Sequence, residues 1–389
     1  MSVVALVLLI VASLTMLVRP RGAPVWAGPL AAAVVGLATG AIPLELARSS
    51  ASSLRDPLLF VAVAVPLAVA LDRLGVFEAL AALVDGGRHL PMALWWFGAA
   101  VTAVFNLDAA VVLLTPLYAR IARRHSLPLE PLVFQPAMLA CIASSPLPVS
   151  NLTNLIVAEG RGLGVGDFVG HLLVPTLLAV AVGWLGLRRV LPVVLVERTL
   201  DLAPDRRALS RGLPVVAFVL VGFTAGDVIG IPAWAVAAIA LAAAVALGAP
   251  RPPLVALPWE AVLVALALGV VVAGATPHLG LESLLDGSGV AGRAQALLAG
   301  VIGANVTNNL PAVLATAPAL GSSDQVWPLL IGVNIGPALV LTGALSSLLW
   351  RDTAAAAGVH VAAARFSAVG VRVGLPALAV AGAWVVLVP

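Results

Sequence analysis

The chain has 389 residues, 61% of them hydrophobic and only 10% charged, with a formal net charge of +3 and a mean hydropathy of +1.11. A soluble domain carries about 25% charged residues, so an ordinary soluble protein is excluded. A single cysteine, Cys141, excludes an internal disulfide and any multi-thiolate metal site.

Repeated apolar runs approach the roughly 20 residues that a helix needs to cross a bilayer. A membrane barrel would show short alternating segments instead. The composition therefore predicts an all-α polytopic membrane protein. The first run, "SVVALVLLIVASLTMLV", has neither a basic leader nor a small-residue cleavage site and reads as a retained span, 2–18. Spans 25–43 and 57–71 follow. Residues 90–118 have two apolar arms around a polar centre, "FNLDAA". Residues 131–158 read as a span broken by "SSPLPVSN", and 169–187 closes a first unit, 1–188. A polar linker loop covers 189–212. The second unit, 213–389, has spans 213–229, 232–248 and 258–275, a two-armed segment 290–319 around "VTNNLP", a broken span 326–350, and a last span 368–388.

The two units share landmarks. "DRLGVFEALAALVDG" at 72–86 returns as "PHLGLESLLDG" at 277–287. "NLDAAVVLLTP" from Asn106 returns as "TNNLPAVLATAP" from Thr307, and "SNLTNL" at 150–155 faces "GALSSLL" at 343–349. Such internal repeats are common in secondary transporters. If the two-armed segments are re-entrant hairpins, each unit crosses the membrane five times and the second is inverted. The arginines select that arrangement. With the N-terminus outside, Arg19, Arg21, Arg73, Arg88, Arg120, Arg123, Arg124, Arg188, Arg189, Arg198, Arg206, Arg207, Arg211, Arg251, Arg351, Arg365 and Arg372 fall in cytoplasmic loops, 17 of 21. Only Arg48, Arg55, Arg161 and Arg293 fall outside. The positive-inside rule thus predicts two inverted repeats, each of five spans plus a hairpin, with both termini outside a cytoplasmic (inner) membrane. The high pI follows from the arginines and implies no nucleic-acid partner.

Unpaired backbone cannot face lipid, so the breaks must be buried in protein or line a cavity. Pro146 and Pro148 stop the first half-helix, and Ser150 or Asn151 can cap the next. Gly336 and Pro337 mark the second break, with Thr342 and Gly343 before the resumed helix. Asn308 or Asn309 can cap the arm that starts near Pro311, with Asp108 in the equivalent place in the first hairpin. Four half-helix N-termini with free N–H groups would then converge on a solute. The candidate binding residues are Asp108, Asn106, Ser150, Asn151, Thr153, Asn154, Asn308, Asn309, Asn334, Thr342 and Ser346. A plain capping role competes for each asparagine. Asp108 is an acid within a membrane segment, a costly placement that favours function. Cys141 reads as a packing residue, Glu260 and Asp227 as interfacial, and Trp26, Trp259 and Trp384 as interfacial anchors.

With "LDAAVVLLTPL" (107–117), "SSPLPVSNLTNLIVAEGRGLGVGDF" (144–168), "TNNLPAVL" (307–314) and "IGPALVLTGALSSLLW" (335–350), the chain resembles the ArsB arsenite/antimonite efflux family of the ion transporter superfamily. The resemblance implies inverted repeats around a central site. It also implies export of trivalent arsenic or antimony hydroxide, driven by protons or assisted by a soluble ATPase partner, and a homodimer. Asp108 matches the acid of the family's first hairpin, Asn151 and Asn154 its first broken helix, and Asn308, Asn309 and Pro311 its second hairpin. The family pattern has an acid where this chain has Cys141, "DLGPK" where it has "NIGPA", and a reading closer to "FAND" where it has "FNLD". Asn334 thus stands for an acid and Ala338 for a lysine, as in a compensated loss of buried charge.

Three function classes follow. An arsenite or antimonite exporter would use Asp108 as proton carrier, with amides and hydroxyls that both donate and accept to a neutral trihydroxy solute. A transporter of the same fold for a small oxyanion or dicarboxylate, coupled to sodium or protons, would use the helix N-termini, although no arginine sits at midplane. An enzyme would need an acid–base pair or a metal motif. No HExxH exists, and the five histidines are scattered. No cofactor is expected.

Overall fold

The structure is a computed structural model in which residues 2–83, 89–193 and 204–388 are described. Arg88, Arg198 and much of the expected linker lie outside the described residues. Among those described, every regular element is helical. The first half runs α1 (Ser2–Val18), α2 (Ala27–Ala38), α3 (Leu44–Ser53), α4 (Arg55–Arg73), α5 (Val76–Leu83), α6 (Leu90–Phe105), α7 (Leu107–Arg124), α8 (Leu129–Ile142), α9 (Leu152–Arg161) and α10 (Val165–Val190). The second runs α11 (Arg206–Ile229), α12 (Ala233–Ala246), α13 (Trp259–Ala275), α14 (Leu281–Leu284), α15 (Gly289–Thr307), α16 (Asn309–Thr316), α17 (Val326–Ile335), α18 (Leu345–Ala356) and α19 (Ala363–Leu387).

Helices α10, α11, α13 and α19 each contain a stretch long and apolar enough to cross a membrane, and α3 with α4 forms a fifth, bent by 45°. The expected spans 2–18, 25–43 and 232–248 form helices of 17, 12 and 14 residues. The shortest, α2, covers about 18 Å at 1.5 Å per residue. It ends early because Gly40, at φ 69°, turns the chain, and Pro43 then starts α3.

One apolar core joins α1–α5 with α11–α13, and a second joins α8–α10 with α15–α19; α6, α7, α8, α9 and α16 contribute to both. In the first core, α4 packs on α12, and α13 packs on α2 and α3. In the second, α10 and α19 lie antiparallel. A Cβ on Gly186 would stand 3.0 Å from the Arg372 carbonyl oxygen, while Asp167–Val174 face Trp384–Val388 across a cavity. Small residues set the closest approaches, as in membrane helix packing generally. A Cβ on Gly332 would reach 2.4 Å from the Leu297 carbonyl oxygen, and one on Gly370 would collide with the Ala338 carbonyl. Exposed apolar side chains belt the outside, among them Val7, Ile10 and Leu14 on α1, Leu173 and Leu177 on α10, Val221 on α11 and Ile302 on α15.

Both two-armed segments return to the end they entered. Tyr118 Oη on α7 donates to Leu94 O on α6. Gly321 N, beyond α16, donates to Leu285 O, ahead of α15, at 3.0 Å. Ion pairs Arg19–Asp352 (3.5 Å), Arg124–Glu78 (2.7 Å) and Arg365–Glu130 (2.8 Å) gather at one end of the molecule. Arg161 and Arg293 line a cavity at the opposite end.

Candidate functional site

The hairpin tips share a backbone corner. Asn106 has φ 74° and ψ 148°, and Asn308 has φ 111° and ψ 153°. Few residues other than glycine accept positive φ, and asparagine is enriched among those that do. Asn106 Oδ1 accepts from Asp108 N at 2.9 Å and caps α7; Asn308 Oδ1 accepts from Leu310 N at 3.3 Å and caps α16. The sequence expectation set Asp108 in the capping place. The structure corrects this: Asn106 takes the corner because its side chain tolerates the left-handed backbone, and Asp108 stands in the first turn, where the second hairpin has Leu310.

The first break is a nest of carbonyls closed by side chains. α8 stops at Ile142, a 3-10 turn covers Pro148–Ser150, and Asn151 Oδ1 caps α9 by accepting from Thr153 N at 3.2 Å. Ser150, the other candidate cap, instead places its hydroxyl 2.7 Å from Ser144 O and 2.6 Å from Leu147 O. Asn154 Nδ2 faces Ser144 O at 2.9 Å, Leu147 O at 2.9 Å, Ser150 Oγ at 3.3 Å and Ser145 O at 3.4 Å. Carbonyl oxygens only accept, so the amide must turn its nitrogen toward them.

Asn334, at the end of α17, joins the two breaks. Its Oδ1 accepts from Asn151 Nδ2 at 2.9 Å and from Thr153 Oγ1 at 2.8 Å. Its Nδ2 donates to Asn154 Oδ1 at 2.7 Å and to Ser145 Oγ at 3.3 Å. The second break depends on the second hairpin instead. Asn309 N donates to Gly343 O at 2.8 Å, Asn308 Nδ2 to Thr342 O at 3.1 Å, and Asn305 Nδ2 to Gly336 O at 3.0 Å. Ala344 begins α18 without a side-chain cap. Thr342 thus contributes its carbonyl here.

The candidate residues therefore separate. Asn151, Thr153, Asn154, Ser150 and Asn334 spend their polar atoms on one another and on the backbone. Asn308 and Thr342 tie hairpin to break, as does the backbone of Asn309. Unpartnered buried atoms at the centre include Asn106 Nδ2, Asp108 Oδ1 and Asn305 Oδ1, and the hydroxyls of Ser144 and Ser346. Asn106 and Asp108 open α7, and Ser346 and Ser347 lie in the first turn of α18, which packs on α7. The two helices run parallel, since Arg123 Nη2 near the end of α7 donates to Ala357 O at the end of α18. α9 and α16 repeat the arrangement, with Arg161 Nη2 donating to Ala317 O at 2.7 Å. Each guanidinium meets the negative end of a helix dipole.

Residues 102–112, 139–155, 303–313 and 333–348 contain one ionisable acid, Asp108, and no Arg, Lys or His. Cys141 is buried beside Ser347. Sequence reasoning missed Ser145, Asn305, Ser347 and both helix-end arginines. Ser145 lay within the quoted "SSPLPVSN". The arginine contacts had no local signal, because their partners lie 234 and 156 residues away.

The model of the citrate transporter family (CitMHS) matches residues 1–385. The chain belongs to this family. It is a family of transporters, not of enzymes, in keeping with the sequence reading. The chain is also similar to the arsenical pump membrane protein of Escherichia coli (strain K12), 28% identical over 405 aligned positions that cover 92% of each chain. The arsenical pump membrane protein of Yersinia enterocolitica is 28% identical over 360 positions, 82% of this chain and 83% of the relative. The silicon efflux transporter LSI3 of Oryza sativa subsp. japonica is 27% identical over 153 positions, 38% of this chain and 30% of the relative. The resemblance to the arsenite efflux family thus holds over most of the chain.

Proposed function

We propose that this chain is a proton-coupled secondary transporter that exports arsenite or antimonite, as the neutral hydroxide, across a cytoplasmic membrane. The observation that carries the reading is the set of buried, unpartnered polar atoms where α7 and α18 begin: Asn106 Nδ2, Asp108 Oδ1 and Ser346 Oγ. A neutral polyhydroxide can both donate to and accept from such groups. Citrate or another polyanion would bring charge to a region whose sequence has no cation. The names of the relatives, arsenical pump and silicon efflux transporter, agree with a hydroxide solute.

Asp108 is the proton carrier in this reading, because it is the one acid in the segments that meet at the centre. Sodium is disfavoured at the first break, where the carbonyls that would ligate it face Asn154 Nδ2. Two inverted repeats are supported by the matching corners at Asn106 and Asn308, the two returning hairpins and the antiparallel α10 and α19. The arginine cluster around Arg19, Arg124 and Arg365 supports a cytoplasmic position for that end, with both termini outside. The moving part is the α8–α10 and α15–α19 core with its hairpins, and the scaffold is the α1–α5 and α11–α13 core. A homodimer is the assembly expected from the resemblance, with a soluble ATPase as an optional partner.

The test is arsenite uptake into inside-out vesicles that contain the inserted protein, with and without an imposed proton gradient and with citrate as the competing substrate. Uptake driven by the gradient, unaffected by sodium and by citrate, is the expected result. Citrate uptake, or a requirement for sodium, would overturn the reading.

A further inference from the structure

We infer that the cavity between the first turns of α10 and the end of α19 binds the phosphodiester headgroup of a membrane phospholipid. The inference goes beyond the transport reading and does not depend on it. The cavity has a volume of 490 Å³ and is lined by Arg161, Arg293, His171, Trp327, Trp384 and Val388, among others.

Arg293 carries the argument. It lies in the second turn of α15 and is only 7% exposed. Among the described residues its guanidinium donates no hydrogen bond. Its Nε is buried without a partner, and its ion pair with Asp324 Oδ2, at 4.0 Å, is too long for a hydrogen bond. Asp324 supplies a counter-charge but no hydrogen bond, and a buried guanidinium in that state calls for an acceptor within reach. The carboxylates of the same cavity are engaged by their own loops: Asp167 Oδ2 accepts from Gly164 N at 2.8 Å, and Asp324 accepts from the Ser322 hydroxyl. Arg161 donates to Ala317 O through Nη2, leaving Nε and Nη1. Each carboxylate keeps its other oxygen, and Asp324 Oδ2 is the one that faces Arg293 from 4.0 Å. The guanidinium donors other than Arg161 Nη2 make no hydrogen bond among the described residues, and their planar fork suits phosphate oxygens. The N-terminus of α17 opens on the same space at Val326 and adds a partial positive charge.

The walls select a lipid over a free oxyanion. Val174, Trp384, Val385 and Val388 line the cavity. Leu173, Leu177 and Leu387, on the same two helices, are 38%, 47% and 65% exposed. A free phosphate would use none of this surface, whereas acyl chains would cover it while the headgroup sits between the arginines. Trp384 at the rim fits the interfacial zone where the headgroup lies.

Native mass spectrometry of the detergent-purified full chain tests the assignment. The protein is titrated with a phospholipid, with the diacylglycerol carrying the same acyl chains, and with inorganic phosphate. Phospholipid is expected to be retained where diacylglycerol and phosphate are lost. Arg293→Gln, and separately Arg161→Gln, is expected to weaken retention by about tenfold or more, and Arg48→Gln, on exposed α3, is expected to leave it unchanged. Should Arg293→Gln fail to fold, the half-buried Arg161 carries the test. Equal retention of diacylglycerol would make the site a plain apolar groove. Phosphate binding as tight as phospholipid would make it a free-anion site. Unchanged retention in the variants that fold would remove the arginines from it. Each of these outcomes overturns the inference.

Discussion

At the tip of the first hairpin Asn106 turns the chain with φ 74° and caps α7; at the tip of the second Asn308 does the same for α16 with φ 111°. The corner is shared and the chemistry is not. Asn308 Nδ2 donates to Thr342 O, and Leu310 follows it in the first turn. Asn106 Nδ2 is buried without a partner, and Asp108 follows it. The breaks differ in the same sense. The first is closed by its own side chains and by Asn334, and the second by the neighbouring hairpin. The tip of the second hairpin is thus tied into the frame, with Asn305 Oδ1 on its first arm left unpartnered, while the tip of the first keeps both Asn106 Nδ2 and Asp108 Oδ1 free. The same backbone corner carries different side-chain chemistry at the two tips.

The largest expected effect follows from the acid that only one tip carries. Asp108→Asn should lower gradient-driven arsenite uptake by on the order of 100-fold, the low end for removing one proton-transfer group, with thermal stability in detergent unchanged. The matching exchange in the other hairpin, Leu310→Asn, should leave uptake within about threefold, well short of the loss expected for a proton-transfer group. Equal losses at both tips would dissolve the contrast between them.

Asn334→Ala tests whether the centre is a lock. The substitution leaves Asn151 Nδ2 and Thr153 Oγ1 without their acceptor and Asn154 Oδ1 without its donor. Each buried orphan costs about 1–3 kcal/mol, so thermal unfolding should shift down by several degrees. A stable variant that has lost arsenite binding would instead make Asn334 a solute ligand.

Much of this frame was legible in the sequence. Pro146, Pro148, Gly336 and Pro337 announced both breaks, and the polar centres "FNLDAA" and "VTNNLP" announced both tips, because helix-hostile text inside an apolar run must have a structural reason. Asn151 was one of two candidates for the α9 cap, and Asn106 was already a candidate residue. The cap of α7 was misplaced because a carboxylate ahead of a helix reads as a cap, whereas the corner required a residue that accepts positive φ. The role of Asn334 was hidden, since its partners lie 180 to 189 residues away and the pairing exists only once the two breaks cross. Span lengths were overestimated at α2 and α12, where apolar composition continues past the turn that ends the helix.

A milder pair of substitutions sharpens the comparison of the tips. Glycine accepts positive φ and replaces a capping asparagine at a cost of only a few tenths of a kcal/mol. Asn106→Gly should therefore fold normally and lose arsenite uptake by about tenfold, the worth of one hydrogen bond of roughly 1.4 kcal/mol to the solute. Asn308→Gly should keep uptake and lose about 0.5–1.5 kcal/mol of stability, because its bond to Thr342 O goes as well. Uptake in vesicles and thermal unfolding, measured on both variants, separate the roles.

The smallest effect is expected where the two broken helices begin. α8 starts beside the Glu130–Arg365 pair, whose side chains are 39% and 43% exposed. α17 starts beside Gln325, fully buried, whose Nε2 donates to Leu285 O, Gly287 O and Gly292 O and whose Oε1 accepts from Ser322 N. Solvent screens an exposed ion pair, and such pairs contribute about 0–1 kcal/mol. Arg365→Gln should therefore shift thermal unfolding by a degree or two at most, as about 1 kcal/mol moves the midpoint only slightly in a chain of this size, and less still at high salt. Gln325→Ala leaves one donor and three carbonyls without a side-chain partner, so its shift should exceed that of Arg365→Gln at every salt concentration. If the order reversed, the first broken helix would be anchored by charge at its start, and the second would owe its entry to the backbone alone.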